Sequence, residues 1–260
     1  MSILIDGRIS AFVLLIILFI AIYISMNSAS KSAESPYIRR VAGLDAIEEA
    51  VERAAEMNRP ILSGYGLGTF NPSTLAALSI VGYVTRNAAR TGSEIIVPAG
   101  GDLGTSIVYP QAIETVRSAY DDEGKLEDYN PENVVFLSES QFAWATAQIG
   151  MIHERNVGAL ILTGGYGPEI VALSEEAKSV GSIVIVSGGL YSLCATACIA
   201  DYVLIGEEQI AAGAYLSRDP LQIGSIRGQD WGRLIAIALI LIGVLAKTVG
   251  FDFLTPLLGL

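Results

Sequence analysis

Glycine-rich loops with nearby carboxylates are the part of this sequence best suited to chemistry. The first, Gly64-Tyr65-Gly66-Leu67-Gly68-Thr69, follows an apolar run and precedes a helical pattern, as a dinucleotide-binding loop does. However, Thr69 stands where the full pattern requires a third glycine, and Asp102 lies well beyond the usual spacing of about 20 residues for a ribose-binding carboxylate. A tight turn between strand and helix is therefore the competing interpretation of these glycines.

Similar loops occur at Ala99–Gly104, Thr163–Gly167 and Ser187–Gly189, each directly after a predicted strand. Loops that follow parallel strands line one edge of the sheet, which is the usual ligand crevice. The candidate ligand-binding residues are Gly64, Gly66, Gly68, Thr69, Asp102, Glu139, Gly164, Gly165, Gly167, Gly188 and Gly189.

Carboxylates are expected to ring that same edge, namely Asp102, Glu139, Glu169, Glu207 and Glu208. A ring of carboxylates without a basic residue suits a cation, an amine or a sugar hydroxyl better than a bare phosphate. The competing interpretation is that these side chains cap helices or remain solvated.

Recognised catalytic patterns are missing from the sequence, so we predict no catalytic residue and no metal ligand. No P-loop lysine follows Gly104-Thr105-Ser106, and no G-x-S-x-G pattern occurs. The single histidine, His153, excludes zinc sites with two or three histidines. Cys194 and Cys198 are interpreted as small buried residues rather than a disulfide, and a Cys–His pair with His153 stays open. The cofactor is unknown, and the sequence requires none.

The elements that must position these loops alternate regularly between strands and helices. The predicted strands are Ile61–Ser63, Glu94–Pro98, Asn133–Leu137, Ala159–Thr163, Ile183–Ser187 and Tyr202–Ile205. The predicted helices are Asp45–Met57, with Asp45 and Glu48 as a capping-box-like start, Pro72–Arg90, Pro110–Tyr120, Gln141–Arg155, Glu169–Val180, Ser192–Ile199 and Gln209–Leu216. Strands this apolar are typical of a parallel sheet covered on both faces. The expected fold is an α/β domain over residues 42–230, Rossmann-like and doubly wound, with a mainly parallel sheet of about six strands.

Two apolar segments flank this domain. After a tail at residues 1–8, residues 9–26 carry no charge and are long enough for a transmembrane helix, with a cleavable signal peptide as the alternative. Residues 27–41 form a polar linker. Residues 231–260 contain a second membrane segment, with an amphipathic or re-entrant segment as the alternative. Whether residues 247–260 span, re-enter or lie on the membrane is left open.

Charge limits the partners. The net charge of −11 excludes nucleic acid as an expected partner, because acidic surfaces repel phosphate backbones. Basic residues lie on the domain side of the apolar segments (Lys31, Arg39, Arg40, Arg227 and Arg233), whereas Arg8 stands alone on the other side. The positive-inside rule then predicts a cell-membrane protein with a cytoplasmic domain and both termini outside.

One segment carries a family resemblance. PYIRRVAGLDAIEEAVERAAEMNRPILSGYGLG, and in particular Ile38–Pro60, resembles a family of prokaryotic membrane-anchored proteins that carry only a domain-of-unknown-function label. The resemblance implies a membrane-tethered α/β domain over most of the chain. It implies no catalytic residue and no substrate.

Two functional hypotheses follow. The first is a membrane-anchored, self-associating α/β domain that acts as a scaffold or assembly component without catalysis. The second is a small-ligand or nucleotide-binding sensor or enzyme that uses the glycine-rich loops. A homo-oligomer is expected in the lipid bilayer, because tethering raises the local concentration and Gly243 permits close helix approach. A monomer is the competing interpretation.

Overall fold

The structure, a computed structural model, describes residues 9–31, 42–67, 70–102, 105–217 and 220–248. The chain divides into two compact units. One comprises Met1–Ile38 and Arg218–Leu260, and the other is Arg39–Ser217. The helices are α1 (Ile9–Lys31), α2 (Ala42–Glu56), α3 (Pro72–Thr91), α4 (Thr105–Asp122), α5 (Gln141–Glu154), α6 (Glu169–Ser179), α7 (Leu190–Thr196), α8 (Glu208–Ser217) and α9 (Pro220–Thr248).

Six parallel strands form the sheet of the second unit, in the order β3-β2-β1-β4-β5-β6. They are β1 (Ile61–Gly66), β2 (Ile95–Gly100), β3 (Val134–Ser138), β4 (Ala159–Gly165), β5 (Ile183–Gly188) and β6 (Tyr202–Ile205). This is the strand order of a doubly wound dinucleotide-binding fold. The predicted fold class is therefore confirmed, together with the position of every predicted strand.

Two hydrophobic cores lie on opposite faces of the sheet. One contains side chains of α2, α3, α4 and α8, and the other contains side chains of α5, α6 and α7. Neighbouring residues of β1 show the alternation, because Ile61 belongs to the first core and Leu62 to the second. Burial on both faces explains why these strands are apolar without interruption.

Several predicted boundaries and burial states are wrong. Helix α2 begins at Ala42, so Asp45 lies in its first turn and does not cap it. Helix α1 continues to Lys31, so the first part of the predicted linker is helical, while residues 32–41 lie outside the described residues. The predicted tail at residues 1–8 and the segment after Thr248 also lie outside them. Cys194 and Cys198 are free and exposed, not buried.

The first unit contains two helices long and apolar enough to cross a membrane, within Phe12–Lys31 and Pro220–Thr248. Helix α9 begins at Pro220, eleven residues before the predicted second segment at residues 231–260. A proline is tolerated there, because the first helical turn does not need its N–H for a hydrogen bond within the helix.

Three glycines at intervals of four residues bring α9 against α1. A Cβ atom on Gly224 or Gly228 would lie 2.7 Å from the Cα atom of Met26 or Ile22, and one on Gly232 would lie 3.2 Å from a Leu18 methyl carbon. The order of these contacts makes the two helices antiparallel. Close approach of this kind needs small residues along one helix face.

The same contacts set the register of the two helices. Because Gly232 lies beside Leu18, the apolar run of α9 that begins at Leu234 starts near the level of Ile16. The apolar run of α1 continues to Met26, about ten residues or 15 Å further along the pair. The charged residues Arg227, Asp230 and Arg233 of α9 therefore lie beside apolar turns of α1.

Candidate functional site

The carboxyl ends of the strands gather most of the predicted site residues at one edge of the sheet, hereafter the carboxyl edge. Gly64 and Gly66 are in β1, and Gly164 and Gly165 are in the neighbouring β4. Gly167 follows β4, Gly188 ends β5 and Gly189 precedes α7. Asp102 follows β2, and Glu139 follows β3, at one end of the sheet. Gly68 and Thr69 lie outside the described residues.

Glycines close the space between β1 and β4, the point at which the strand order reverses. Gly66 has φ +91° and Gly164 has φ +106°, in the region that favours glycine. The N–H of Leu67 donates to the carbonyl oxygen of Gly165 at 3.0 Å. A Cβ atom on Gly66 would lie 2.7 Å from the backbone of Gly165, and one on Gly164 would lie 2.3 Å from the carbonyl oxygen of Tyr65. These glycines therefore permit two backbones to approach, at the place where a dinucleotide fold usually leaves a crevice.

The N-terminus of α3, where a pyrophosphate would bind in such a fold, is capped by the chain itself. The side chain of Asn71 accepts a hydrogen bond from the N–H of Thr74 at 2.9 Å, and Pro72 has no N–H to offer. Gln209 accepts from the buried Ser187 hydroxyl at 2.6 Å and donates to the carbonyl oxygen of Ser73 at 2.8 Å. A phosphate would have to displace the Asn71 side chain.

An aromatic pair covers the opposite face of the same edge. The rings of Trp144 and Tyr166 stack with centroids 5.8 Å apart. A Cβ atom on Gly64 would lie 2.0 Å from the Tyr166 hydroxyl oxygen, so this glycine leaves room for the tyrosine. Burial raises the pKa of Tyr166 far above its usual value, so the hydroxyl stays protonated and is not a base. Sequence reasoning missed both aromatic residues, although Tyr166 lies inside a predicted glycine-rich loop.

Among the described residues of this edge, Glu169 is the one buried carboxylate, and its two oxygens are already engaged. It accepts from the N–H of Gly167 at 2.7 Å and from the side-chain amide of Gln141 at 2.6 Å. The Glu169 carboxylate thus fixes the loop between β4 and α6. Among the described residues, no group of three or more His, Cys, Asp or Glu side chains could hold a metal ion. His153 pairs with Glu176 at 2.8 Å rather than with a cysteine.

An open groove of about 500 Å³ lies between the ends of β4 and β5. Its walls are mainly apolar and include Tyr166, Pro168, Ile170, Val171 and Ala195. Such a lining suits an apolar molecule or side chain better than a nucleotide.

The most exposed large apolar side chains in the described part of the α/β domain also lie at the carboxyl edge. They are Phe142 (71% exposed), Ile107 (66%), Phe70 (64%) and Ile205 (61%). Phe70, Ile107 and Phe142 follow the neighbouring strands β1, β2 and β3, and Ile205 ends β6. Sequence reasoning missed this surface, because it assigned apolar residues to the core. Their exposure could have been predicted from their positions, because these residues lie next to helix starts and outside the apolar faces of the helices.

Carboxylates lie at both ends of the strands, whereas the described basic residues of the domain lie at one end only. Glu139, Glu207 and Glu208 are exposed at the carboxyl edge, and Asp102 is half-buried there. Every described Lys or Arg of the α/β domain lies in the last two turns of a helix or in a loop before a strand, at the opposite amino edge: Arg53, Arg59, Arg86, Arg90, Arg117, Lys125, Arg155 and Lys178. The described part of the carboxyl edge is therefore apolar and acidic.

The geometry includes no recognised catalytic arrangement among the described residues. Searches among curated proteins and among solved structures find no match to the chain. The resemblance noted in the sequence is nevertheless confirmed at the level of the family. A family model described as a domain of unknown function (DUF6754) matches residues 1–258, and the chain belongs to that family.

Proposed function

We propose that this chain is a membrane-anchored scaffold whose α/β domain binds another polypeptide at the carboxyl edge, without catalysis. The observation that carries the proposal is that the four most exposed large apolar side chains of the described domain, Phe70, Ile107, Phe142 and Ile205, all lie at the carboxyl edge. Exposed apolar side chains that gather at one end of a domain commonly mark an interaction site. The backbone contact between Gly66 and Gly165 and the capped N-terminus of α3 support binding at the surface rather than within a nucleotide crevice.

Site-specific photocrosslinking in cells tests this proposal. A benzophenone amino acid replaces Phe142 or Ile107 in one pair of variants, and Met57 or Leu126, which are partly exposed at the amino edge, in a matched pair. We expect a discrete protein adduct from the carboxyl-edge positions and none from the amino-edge positions. Equal adducts from both pairs, or no adduct from either, would overturn the proposal.

The mass of the adduct also tests self-association. An adduct of twice the chain mass would identify a second copy at this edge, whereas another mass would identify a different protein. The homo-oligomer expected from the sequence remains a separate proposal, to be measured by mass photometry in nanodiscs. A single monomeric species in both nanodiscs and mild detergents would contradict it.

The proposed orientation places the domain in the cytoplasm and both termini outside. It is supported by basic residues on the domain side of the two long helices, among them Lys31, Arg227 and Arg233. The exposed Cys194 and Cys198 are natural probes of this orientation. An impermeant maleimide should label them only after the cells are permeabilised, and labelling in intact cells would contradict the orientation.

A small apolar molecule is the second candidate for the carboxyl edge, because the groove beside Tyr166 is open and apolar. Mass spectrometry of the purified chain should then show a co-purified compound that is lost in Ala195→Trp, since the larger side chain fills the groove. A compound retained equally by Ala195→Trp would bind elsewhere.

A further inference from the structure

We infer that two copies of this chain pair through the outer edge of β3, the edge that does not face β2, and so continue the sheet of one copy into the other. The inference rests on the homo-oligomer proposed above and names its interface. β3 is the last strand at one end of the sheet, and no other described strand pairs with its outer edge. The four inner strands are almost fully buried, whereas β3 leaves Phe136 46% exposed.

β3 lacks the residues that usually protect an edge strand. Natural edge strands often carry charged residues or prolines, because their unpaired N–H and C=O groups can pair with another chain. The sequence of β3 (Val134–Ser138, VVFLS) contains neither. β6, at the other end of the sheet, is shorter, and the N–H of Ile205 at its end already donates to the Glu208 carboxylate at 2.9 Å. The outer edge of β3 is therefore the more open of the two.

Space for a further strand lies beside the amino end of β3. An open groove of about 590 Å³ lies there, and its walls include Val134, Val135, Tyr109 and Met151. Tyr109 belongs to α4 and Met151 to α5, and these two helices pack on opposite faces of the sheet. The groove therefore opens at the edge of the sheet, where an added strand would lie.

The sequence of β3 is complementary to itself in the antiparallel direction, which favours a second copy as the occupant. A two-fold axis at Phe136 places the two Phe136 side chains directly opposite each other, and Val135 opposite Leu137 of the second copy. Opposed aromatic and aliphatic side chains of this kind stabilise a pair of strands. Beyond the strand ends, Asn133 lies opposite Glu139, so no like charges meet.

The exposed part of Phe136 is the part that a second copy would cover. Its ring packs against the Tyr109 ring of α4, with centroids 6.0 Å apart, and Ala99 of β2 is its neighbour on the inner side. The uncovered surface of the ring therefore lies towards the outer edge. Side chains directly opposite each other in paired strands have Cβ atoms about 5 Å apart, so the second Phe136 would contact this surface.

Cross-linking tests where the copies meet. In a background with Cys194→Ser and Cys198→Ser, which removes the two exposed natural thiols, Phe136→Cys is compared with Tyr202→Cys, a position of β6 that is 45% exposed. A short bismaleimide is added to isolated membranes that contain the full chain. Phe136→Cys should give a product of twice the chain mass, at least about fivefold more than Tyr202→Cys, because its thiols would be directly opposed.

A charge at the same position should separate the copies. Phe136→Lys places two like charges directly opposite each other, whereas Tyr202→Lys adds the same charge to β6. In mild detergent, mass photometry of the full chain should show dimers of the wild type and of Tyr202→Lys. The apparent dissociation constant of Phe136→Lys should be about tenfold higher or more. Unchanged thermal unfolding will show that the variants fold.

Hydrogen exchange of the wild type tests the same interface without a substitution. Backbone amides of β3 should exchange more slowly as the concentration of the chain is raised, because pairing gives them hydrogen-bond partners. Amides of β6 should exchange at a rate that does not depend on concentration.

A cross-linked product of another mass from Phe136→Cys would assign the outer edge of β3 to a different protein and overturn the inference. Equal products at Phe136 and Tyr202, an unchanged dimer in Phe136→Lys, or exchange in β3 that is independent of concentration would also overturn it, and a homo-oligomer through another surface would remain. A monomeric wild type would contradict the homo-oligomer and the inference together. Binding at the carboxyl edge is tested separately, by the photocrosslinks at Phe142 and Ile107.

Discussion

The two ends of the strands are stabilised in different ways. At the amino edge, long basic side chains connect helix ends to loops: Lys178 pairs with Asp201 at 2.8 Å, and Arg90 pairs with Glu123 at 2.6 Å. At the carboxyl edge, the backbones of β1 and β4 meet at glycines, and large apolar side chains remain exposed. The amino edge is therefore tied together by charged side chains, whereas the carboxyl edge leaves exposed the apolar side chains at which we propose binding.

The largest effect on stability is expected where the carboxyl edge closes. In Gly164→Ala, the new Cβ atom would lie 2.3 Å from the carbonyl oxygen of Tyr65, at a φ of +106° that alanine rarely adopts. The free energy of unfolding should fall by about 3 kcal/mol, measured by urea denaturation. Gly165→Ala is the matched control, because nothing lies within 4 Å of its added Cβ atom. Equal losses in both variants would contradict the closure described here.

The amino edge should lose less when its most connected side chain is removed. The guanidinium of Arg59 donates to the carbonyl oxygens of Asn156 and Val157, both at 2.6 Å, and of Val180 at 2.8 Å. Arg59→Ala should lower the free energy of unfolding by about 2 kcal/mol. Arg53→Ala, which removes an exposed ion pair within α2, should change it by only a few tenths. Similar losses in the free energy of unfolding for Arg59→Ala and Arg53→Ala would show that the hydrogen bonds of Arg59 do not stabilise the fold.

An intermediate effect of opposite sign is expected between the two edges, on α5. Gln148 is fully buried, and both polar atoms of its amide have no hydrogen-bond partner among the described residues. Gln148→Met should raise the free energy of unfolding by about 1 kcal/mol, because a buried amide without partners is costly. Gln141→Met should lower it instead, since that amide binds Glu169. A marked loss in Gln148→Met would indicate a buried water bound to the amide.

The smallest effect concerns an exposed ion pair at the amino edge. The hydrogen bond from Arg90 lowers the pKa of Glu123, so the pair stabilises the fold above the unfolded-state pKa of this group. Glu123→Gln should cost a few tenths of a kcal/mol at pH 7. The difference between wild type and variant should shrink as the pH falls below the ordinary glutamate pKa of about 4.3, and it should vanish once the pH is below the lowered pKa of Glu123 in the native state. A difference that persists at lower pH would assign the effect to packing.

The sheet could be predicted from the sequence because its strands are continuous apolar runs between breakers, as Ala159–Gly165 illustrates. The helix starts were harder: α9 extends back to Pro220 through polar residues whose helicity depends on packing against α1. Gly64, Gly66, Gly164 and Gly165 were predicted in loops after the first and fourth strands, but they lie within the last residues of β1 and β4. The contacts of these glycines with the neighbouring backbone were not predicted. In a sequence, a glycine that leaves room for a ligand looks the same as a glycine that leaves room for a second backbone.

The exposure of apolar side chains at the carboxyl edge could not be predicted for a related reason. Phe142 and Phe70 have the composition of core residues, and only the tertiary structure shows that no helix of the described domain covers them. Gly243 was expected to mediate close helix approach between chains. Close approach between chains at Gly243 stays a prediction, while within the chain three other glycines, Gly224, Gly228 and Gly232, permit close approach of α9 to α1.

If both helices cross a membrane, as their length and apolar composition allow, the stagger between α1 and α9 has a consequence for the surrounding lipid. A bilayer with a hydrocarbon thickness of about 30 Å cannot match both apolar runs at once, because at the Met26 end of α1 their boundaries differ by about 15 Å along the pair. If the lipid follows α1, Arg227, Asp230 and Arg233 enter the hydrocarbon, and if it follows α9, the last apolar turns of α1 emerge from it. Hydrophobic mismatch of this kind favours a locally thinned or sloping bilayer, so the helix pair should partition into thin membranes over thick ones.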